Sequence, residues 1–184
     1  MVKLIIGLTG VIGAGKTVVS DYLVKNYSFK TISSGDLVRA ECKTHGLIAN
    51  RENAQALAKT MVEQNGNDYW TKQIIDKIQK SNYDFIIFDG IRYSIDFDLT
   101  KKTFKSKFIL IQIDTKEQLR FERMKLRNRT GDPKTISEFE KQEQNELKLF
   151  DLNYLFEKKD FVVYNNEDID ALHKQIDSVV KMML

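Results

Sequence analysis

Apolar residues fall into two kinds of pattern along the chain. Five short runs are nearly continuous: Leu4 to Leu8, Phe29 to Ile32, Asp84 to Phe88, Phe108 to Ile113 and Phe161 to Tyr164. Runs of this length, rich in Ile, Phe and Val, predict strands covered on both faces. Between them apolar positions recur at helical spacing, as in Val18, Val19, Tyr22 and Leu23. Ala54, Leu57, Ala58, Met61 and Val62 form another stripe, and Tyr69, Trp70, Ile74, Ile75 and Ile78 a third, with a break at Asn65-Gly66-Asn67. Short strands alternating with helices predict an α/β fold: a five-stranded parallel sheet with helices on both faces. No repeat, low-complexity tract or Pro/Gly-rich linker divides the 184 residues, so a single domain over 1–184 is expected. Ligands of such sheets bind beyond the carboxyl ends of the strands. The residues that follow each strand are therefore the candidates for chemistry.

The first strand runs into Gly10, Gly13, Ala14, Gly15, Lys16, Thr17 and Val18, which fit G-x-x-x-x-G-K-[ST], the phosphate-binding loop. Glycines let the backbone curl until successive N–H groups point at an anion, and the helix that follows aims its positive dipole end at the same spot. These seven residues, joined by Arg123 further along the chain, are the expected ATP-binding set of a P-loop NTPase. Lys16 would neutralise the β- and γ-phosphates, and Thr17 would offer its hydroxyl to Mg²⁺. A signal peptide is excluded, because three glycines and a lysine interrupt the apolar run and no small-residue cleavage site follows.

After the second strand comes Ser33-Ser34-Gly35-Asp36-Leu37-Val38-Arg39. Ser34 or Asp36 can cap a helix that carries Arg39 a turn later. The plain reading is a capped helix with a surface arginine. The functional one has Asp36 accept a proton or help hold metal and water, and Arg39 grip an acceptor phosphate. Residues 36–80 then form a helical insertion large enough to cover an acceptor, with Tyr69 and Trp70 either packing in its core or stacking on a base. The third strand ends in Asp89-Gly90-Ile91-Arg92, where Asp89 would serve the metal and Arg92 would face the phosphates. After the fourth strand, Arg120, Arg123 and Arg127 share one helical face that stops at Thr130-Gly131-Asp132-Pro133, with a new helix near Ser137. This is read as a lid hairpin over 123–145, with Arg129 as a further candidate, against the alternative of a solvated, salt-bridged face. The turn Asn165-Asn166-Glu167-Asp168 before a closing helix from Ile169 would lie beside the phosphate loop and line the adenine pocket through its backbone.

Charge adds little to this picture. The net charge of +3 is the balance of 29 basic and 26 acidic residues, and the cluster Lys101, Lys102, Lys105 and Lys107 reads as a solvated helix end, so no nucleic-acid partner is expected. Cys42 is the sole cysteine, which leaves no disulfide framework and fits a reducing cytoplasm. His45 and His173 read as solvated surface positions. No apolar run is long enough to span a membrane. A monomer or homodimer is expected.

These motifs together resemble the nucleoside monophosphate kinase group of P-loop proteins. SSGDLVR looks like the acceptor-binding turn of adenylate kinases and FDGIR like their D-G-F-P-R, one residue shorter before the arginine. GLTGVIGAGKT and FVVYNNEDIDALHKQI look like dephospho-coenzyme A kinases. The whole spacing is most similar to the adenylate-kinase-related proteins of archaea. The resemblance implies ATP and Mg²⁺ at Lys16 and Thr17, the acceptor at Asp36 and Arg39, metal at Asp89, and lid arginines at Arg123 and Arg127. The second lid helix departs from the group by offering Lys141 and Gln142 where arginine is usual. The expected activity is transfer of the γ-phosphoryl of ATP to a nucleoside or deoxynucleoside monophosphate. The alternatives are phosphorylation of a ribose 3′-hydroxyl, as by dephospho-coenzyme A kinases, and a regulatory NTPase without a small acceptor.

Overall fold

The computed structural model describes residues 2–128 and 131–183. Five parallel strands, β1 (Leu4–Thr9), β2 (Lys30–Ser33), β3 (Phe85–Asp89), β4 (Phe108–Asp114) and β5 (Phe161–Tyr164), lie in the order β2-β3-β1-β4-β5. All five predicted runs are strands, with ends that move by at most one residue. The register aligns Ser33 with Asp89, Asp89 with Leu8, Thr9 with Gln112 and Asp114 with Tyr164, so the carboxyl ends share one edge. The chain leaves β1 toward β2 and later returns to its other side at β4, which makes the end of β1 the switch point where such sheets bind ligands.

The helices are α1 (Lys16–Tyr27), α2 (Ser34–Thr44), α3 (Arg51–Asn65), α4 (Tyr69–Lys80), α5 (Ser94–Phe104), α6 (Glu117–Arg127), α7 (Ile136–Leu149), α8 (Leu152–Lys158) and α9 (Ile169–Met183). Alternation along β1 divides the core. Leu4, Ile6 and Leu8 pack with Val19 and Leu23 of α1 and with Leu172, Ile176 and Val180 of α9. Ile5 packs on the opposite face with Ile74 and Ile78 of α4, Phe97 of α5 and Leu152 and Leu155 of α8. Each fully buried Ile or Leu contributes about 1.5–3 kcal/mol, which holds the strand ends in place. Among the described residues no helix is long and apolar enough to cross a membrane.

Several expectations need correction here. α2 starts at Ser34 with Ser33 as its cap residue and no side-chain cap bond, so neither Ser34 nor Asp36 caps it. The α3 stripe is shallow: of its apolar residues only Leu57 is buried, because α3 packs mainly on α2 and α4. The Trp70 indole N–H donates to the Ala58 carbonyl at 3.1 Å, which fastens α4 to α3. His173 is not merely solvated, since it stacks on Tyr22 with ring centroids 3.8 Å apart. The helical hairpin expected over 123–145 has a longer second arm, which continues to Leu149.

Candidate active site

The phosphate loop bridges β1 and α1. Gly10, Gly13 and Gly15 have φ of 144°, 77° and 98°, in the region that favours glycine. Gly15 is required twice over, because a Cβ there would also lie 2.3 Å from Asn165 Nδ2. α1 begins at Lys16 with no side-chain cap, so its first N–H groups remain for a ligand. Ala14 is fully buried, and its carbonyl accepts the Thr115 hydroxyl at 2.8 Å and Asn165 Nδ2 at 3.0 Å. The loop is thus clamped by the ends of β4 and β5.

The Lys16 ammonium folds onto this loop, donating to the carbonyls of Gly10 at 2.5 Å and Val11 at 3.0 Å. Burial lowers its pKa to about 8; Glu146 is the strongest of the charges opposing that shift, while Arg92 adds to it. A cleft of about 600 Å³ opens here, lined by Gly13, Ala14, Gly15, Lys16, Thr17, Val18, Arg92, Arg123, Arg127 and Glu146, with Asn165, Glu167 and Ile169 among its remaining walls. Gly10 contributes its carbonyl to Lys16 and is not on the wall. Four cationic side chains from three parts of the chain therefore meet one anion-binding loop.

The arginines divide into distinct roles. Arg92 follows β3, with its guanidinium 4.8 Å from the centre of the Phe150 ring. Arg123 donates to the Asn165 carbonyl at 2.7 Å and to that of Glu167 at 3.5 Å, which fixes it against the turn after β5. Arg127 makes two 2.7 Å bonds to Asp132 at the hairpin turn, and these hold its pKa up. Arg120 is set apart from the two arginines with which it shares a helical face. It is buried, donates to the Thr115 and Ile12 carbonyls, pairs with Glu143 at 2.7 Å and lies over the Phe139 ring. Its work is to tie the hairpin to the phosphate loop. Gln142 donates to the Gly131 carbonyl at 3.0 Å, and Lys141 is exposed and off the cleft wall. Arg129 lies outside the described residues.

Asp36, Arg39 and Asp89 do not line this cleft. Asp36 and Arg39 are exposed and pair with each other at 2.5 Å. Asp89 is half-buried at the end of β3, and its charge is felt by Lys16. Gly90 turns the chain at φ 96° against Ser34, so the start of α2 sits directly beside Asp89. The oxygen donors here, the Thr17 hydroxyl and the Asp89 carboxylate, are the kind that Mg²⁺ takes beside phosphate oxygens and water.

Three contributors were not anticipated: Thr115, the Asn165 side chain and Glu146. Phe139, Glu143 and Glu146 share one face of α7, and Phe139 is fully buried. That spacing is a signal in the sequence for which face turns inward.

Residues 9–140 match the family described as the AAA domain. A UPF0200 protein of Methanococcus vannielii is 31% identical over 186 residues, covering 98% of this chain and 96% of its own. Another, MJ1399 of Methanocaldococcus jannaschii, is 31% identical over 183 residues, with coverage of 98% and 91%. The structure superimposes on TT1252 from Thermus thermophilus with a TM-score of 0.64 at 14% identity, covering all of both chains. It also superimposes on shikimate kinase from Acinetobacter baumannii in complex with shikimate, with a TM-score of 0.58 at 14% identity over 98% and 92%. A nucleotide-binding loop at the switch point of a parallel sheet, in a chain related over its whole length to these proteins, leads to one assignment: the protein belongs to the UPF0200 family and has an AAA domain with the P-loop kinase-like fold.

Proposed function

We propose that the protein is an ATP-dependent phosphotransferase that moves the γ-phosphoryl group to a nucleoside or deoxynucleoside monophosphate. The observation that carries this reading is the convergence of Lys16, Arg92, Arg123 and Arg127 on the cleft around one phosphate loop. A transferring phosphoryl group spreads charge over its equatorial oxygens, and several fixed cations on different elements meet that demand better than binding alone requires. Arg123 would sit on the nucleotide side, near Glu167 and Ile169. Lys16, Arg92 and Arg127 would take the phosphate chain, with Arg127 exchanging Asp132 for phosphate. Mg²⁺ would be held by Thr17 and Asp89 and would neutralise charge on the β- and γ-phosphates. Asp36 and Arg39, across Gly90 from Asp89, would open their mutual pair to receive the acceptor, with Arg39 on its phosphate. The adenylate-kinase-like spelling of SSGDLVR and FDGIR supports this placement.

A hydroxyl acceptor is the second reading, and Glu146 is the observation that favours it. A carboxylate among cleft cations can accept a hydroxyl proton, a service that an already ionised phosphate does not need. Asp36 is the other candidate base, and the shikimate kinase neighbour is in complex with shikimate, a small molecule that is not a nucleotide. ADP release measured with nucleoside monophosphates, deoxynucleoside monophosphates and dephospho-coenzyme A in turn tests both readings. The leading reading expects acceleration by a monophosphate. Acceleration by dephospho-coenzyme A alone moves the hydroxyl reading to the front, and basal hydrolysis that no acceptor stimulates leaves a regulatory NTPase.

A further inference from the structure

The turn that carries Arg92 is held by a carboxylate that has no part in the cleft itself. Asp96 lies in the first turn of α5 and is only 7% exposed. Its Oδ2 accepts the backbone N–H groups of Arg92 and Tyr93, each at 3.0 Å. Its Oδ1 accepts the hydroxyl of Thr71 at 2.6 Å. Thr71 is buried on α4, the last helix of the acceptor-side insertion. Burial pushes the Asp96 carboxyl up, and the Thr71 hydroxyl and the two N–H groups draw it back. A carboxylate taken this far from water is costly unless each oxygen is served, so removal of one donor disturbs the others.

We infer that Asp96 is a positioning residue which, through Thr71, couples the acceptor-side helix α4 to the place of Arg92 in the cleft. The inference rests on the phosphotransfer reading. One carboxylate joins α4 to the two peptide groups that set the direction of the Arg92 side chain. A shift of α4 on acceptor binding therefore either carries the Arg92 turn with it or breaks the 2.6 Å bond. The other side of the turn is anchored independently, because the Arg92 carbonyl accepts the Asp151 N–H at 3.0 Å. The polar link from the insertion to Arg92 thus runs through one hydroxyl, beside the apolar packing of Ile74 and Ile78 with Ile91 and Phe97, and coupling between sites is reciprocal.

Thr71→Val keeps the side-chain shape and removes the hydroxyl, whereas Thr71→Ser keeps the hydroxyl and removes a methyl. Mg·ATP affinity by calorimetry is expected to stay within about twofold of wild type in both. Acceptor-dependent turnover is expected to fall about tenfold or more in Thr71→Val and to be retained in Thr71→Ser. In an Arg92→Ala background Thr71→Val should cost nothing further. Equal losses in the two Thr71 variants, a full additional loss on Arg92→Ala, or collapse of Mg·ATP affinity in Thr71→Val overturns the inference in favour of a scaffold role. Trp70, the sole tryptophan, adjoins Thr71 and reads the same link with no acceptor present. Mg·ATP should change its emission in wild type and Thr71→Ser and leave it unchanged in Thr71→Val. An unresponsive wild type or a full response in Thr71→Val overturns the coupling. Failure of the kinase reading shows separately, as no acceptor-stimulated ADP release from a wild type whose emission still responds.

Discussion

The phosphate-loop cleft and the helical region from α2 to α4 beside it are built on different terms. On the donor side Ala14, Leu8 and Leu23 are fully buried, and the loop carbonyls of Gly10, Val11, Ile12 and Ala14 accept side-chain donors from Lys16, Arg120, Thr115 and Asn165. In the region proposed to take the acceptor, Asp36 and Arg39 stand in solvent and pair with each other, and Leu57 is the one buried side chain among those described on α3. A surface pair of this kind is worth about 0–1 kcal/mol, so a ligand can open it at little cost. On the proposed reading the donor half is set by folding, while the acceptor half is left for substrate to order.

The largest test strikes the donor side. Lys16→Ala should lower acceptor-dependent turnover by about a thousandfold or more, read from steady-state rates at saturating Mg·ATP. Near-normal turnover would remove the electrostatic basis of the reading. The second concerns the anchor between hairpin and loop. Arg120→Met leaves Glu143 in a largely buried place without its partner and should cost about 3 kcal/mol in chemical denaturation, with Arg120→Met/Glu143→Leu regaining most of it. A cost below about 1 kcal/mol would mean that the hairpin is not fastened to the donor side through this pair.

A third prediction follows from Lys16 in the ligand-free protein. Its pKa in the fold is about 8, below its ordinary 10.5, because burial disfavours the charged amine. Below pH 8 the amine is charged in both states, and the folded state bears the full penalty. As pH rises from about 8 to 10.5, the folded protein has released this proton while the unfolded chain still binds it, so stability rises. The rise should be about 3 kcal/mol and should be absent from the pH–stability curve of Lys16→Met. Parallel pH–stability curves for the two proteins would contradict burial as the cause. The smallest effect lies on the acceptor side, where Arg39→Ala should raise the acceptor KM about tenfold and leave the ATP KM within about twofold. Equal changes in both constants would erase the distinction between the halves.

What could be read from the residues alone follows the same division. The strands were legible because each is a short apolar run buried on both faces, and the phosphate loop because its geometry is local to eight consecutive residues. Arg120 reads from the sequence only as sharing a helical face with Arg123 and Arg127, since its neighbours on the helix carry no sign that Glu143 of α7 lies opposite. Asn165 was placed in the right turn, yet the reach of its side chain to Ala14 depends on how far β5 extends beside β4, which is a property of the sheet. Glu146 sits on the face that Phe139 marks as inward, but only assembled packing shows that this face ends at Lys16. That Asp36 stands off the cleft wall depends on how α2 packs beside the turn at Gly90, which pattern does not encode.

The double hold on the Ala14 carbonyl has a consequence for how the molecule is made. The motif that defines the loop is complete within the first seventeen residues, but one of its two clamps, Asn165, arrives near the end of the chain. During synthesis the loop is therefore written early and finished late. A nascent chain that stops before β5 carries the whole motif with half its support, so nucleotide affinity should mature only after the last strand has docked. Capture on immobilised ATP would then separate finished molecules from chains that merely contain the right letters.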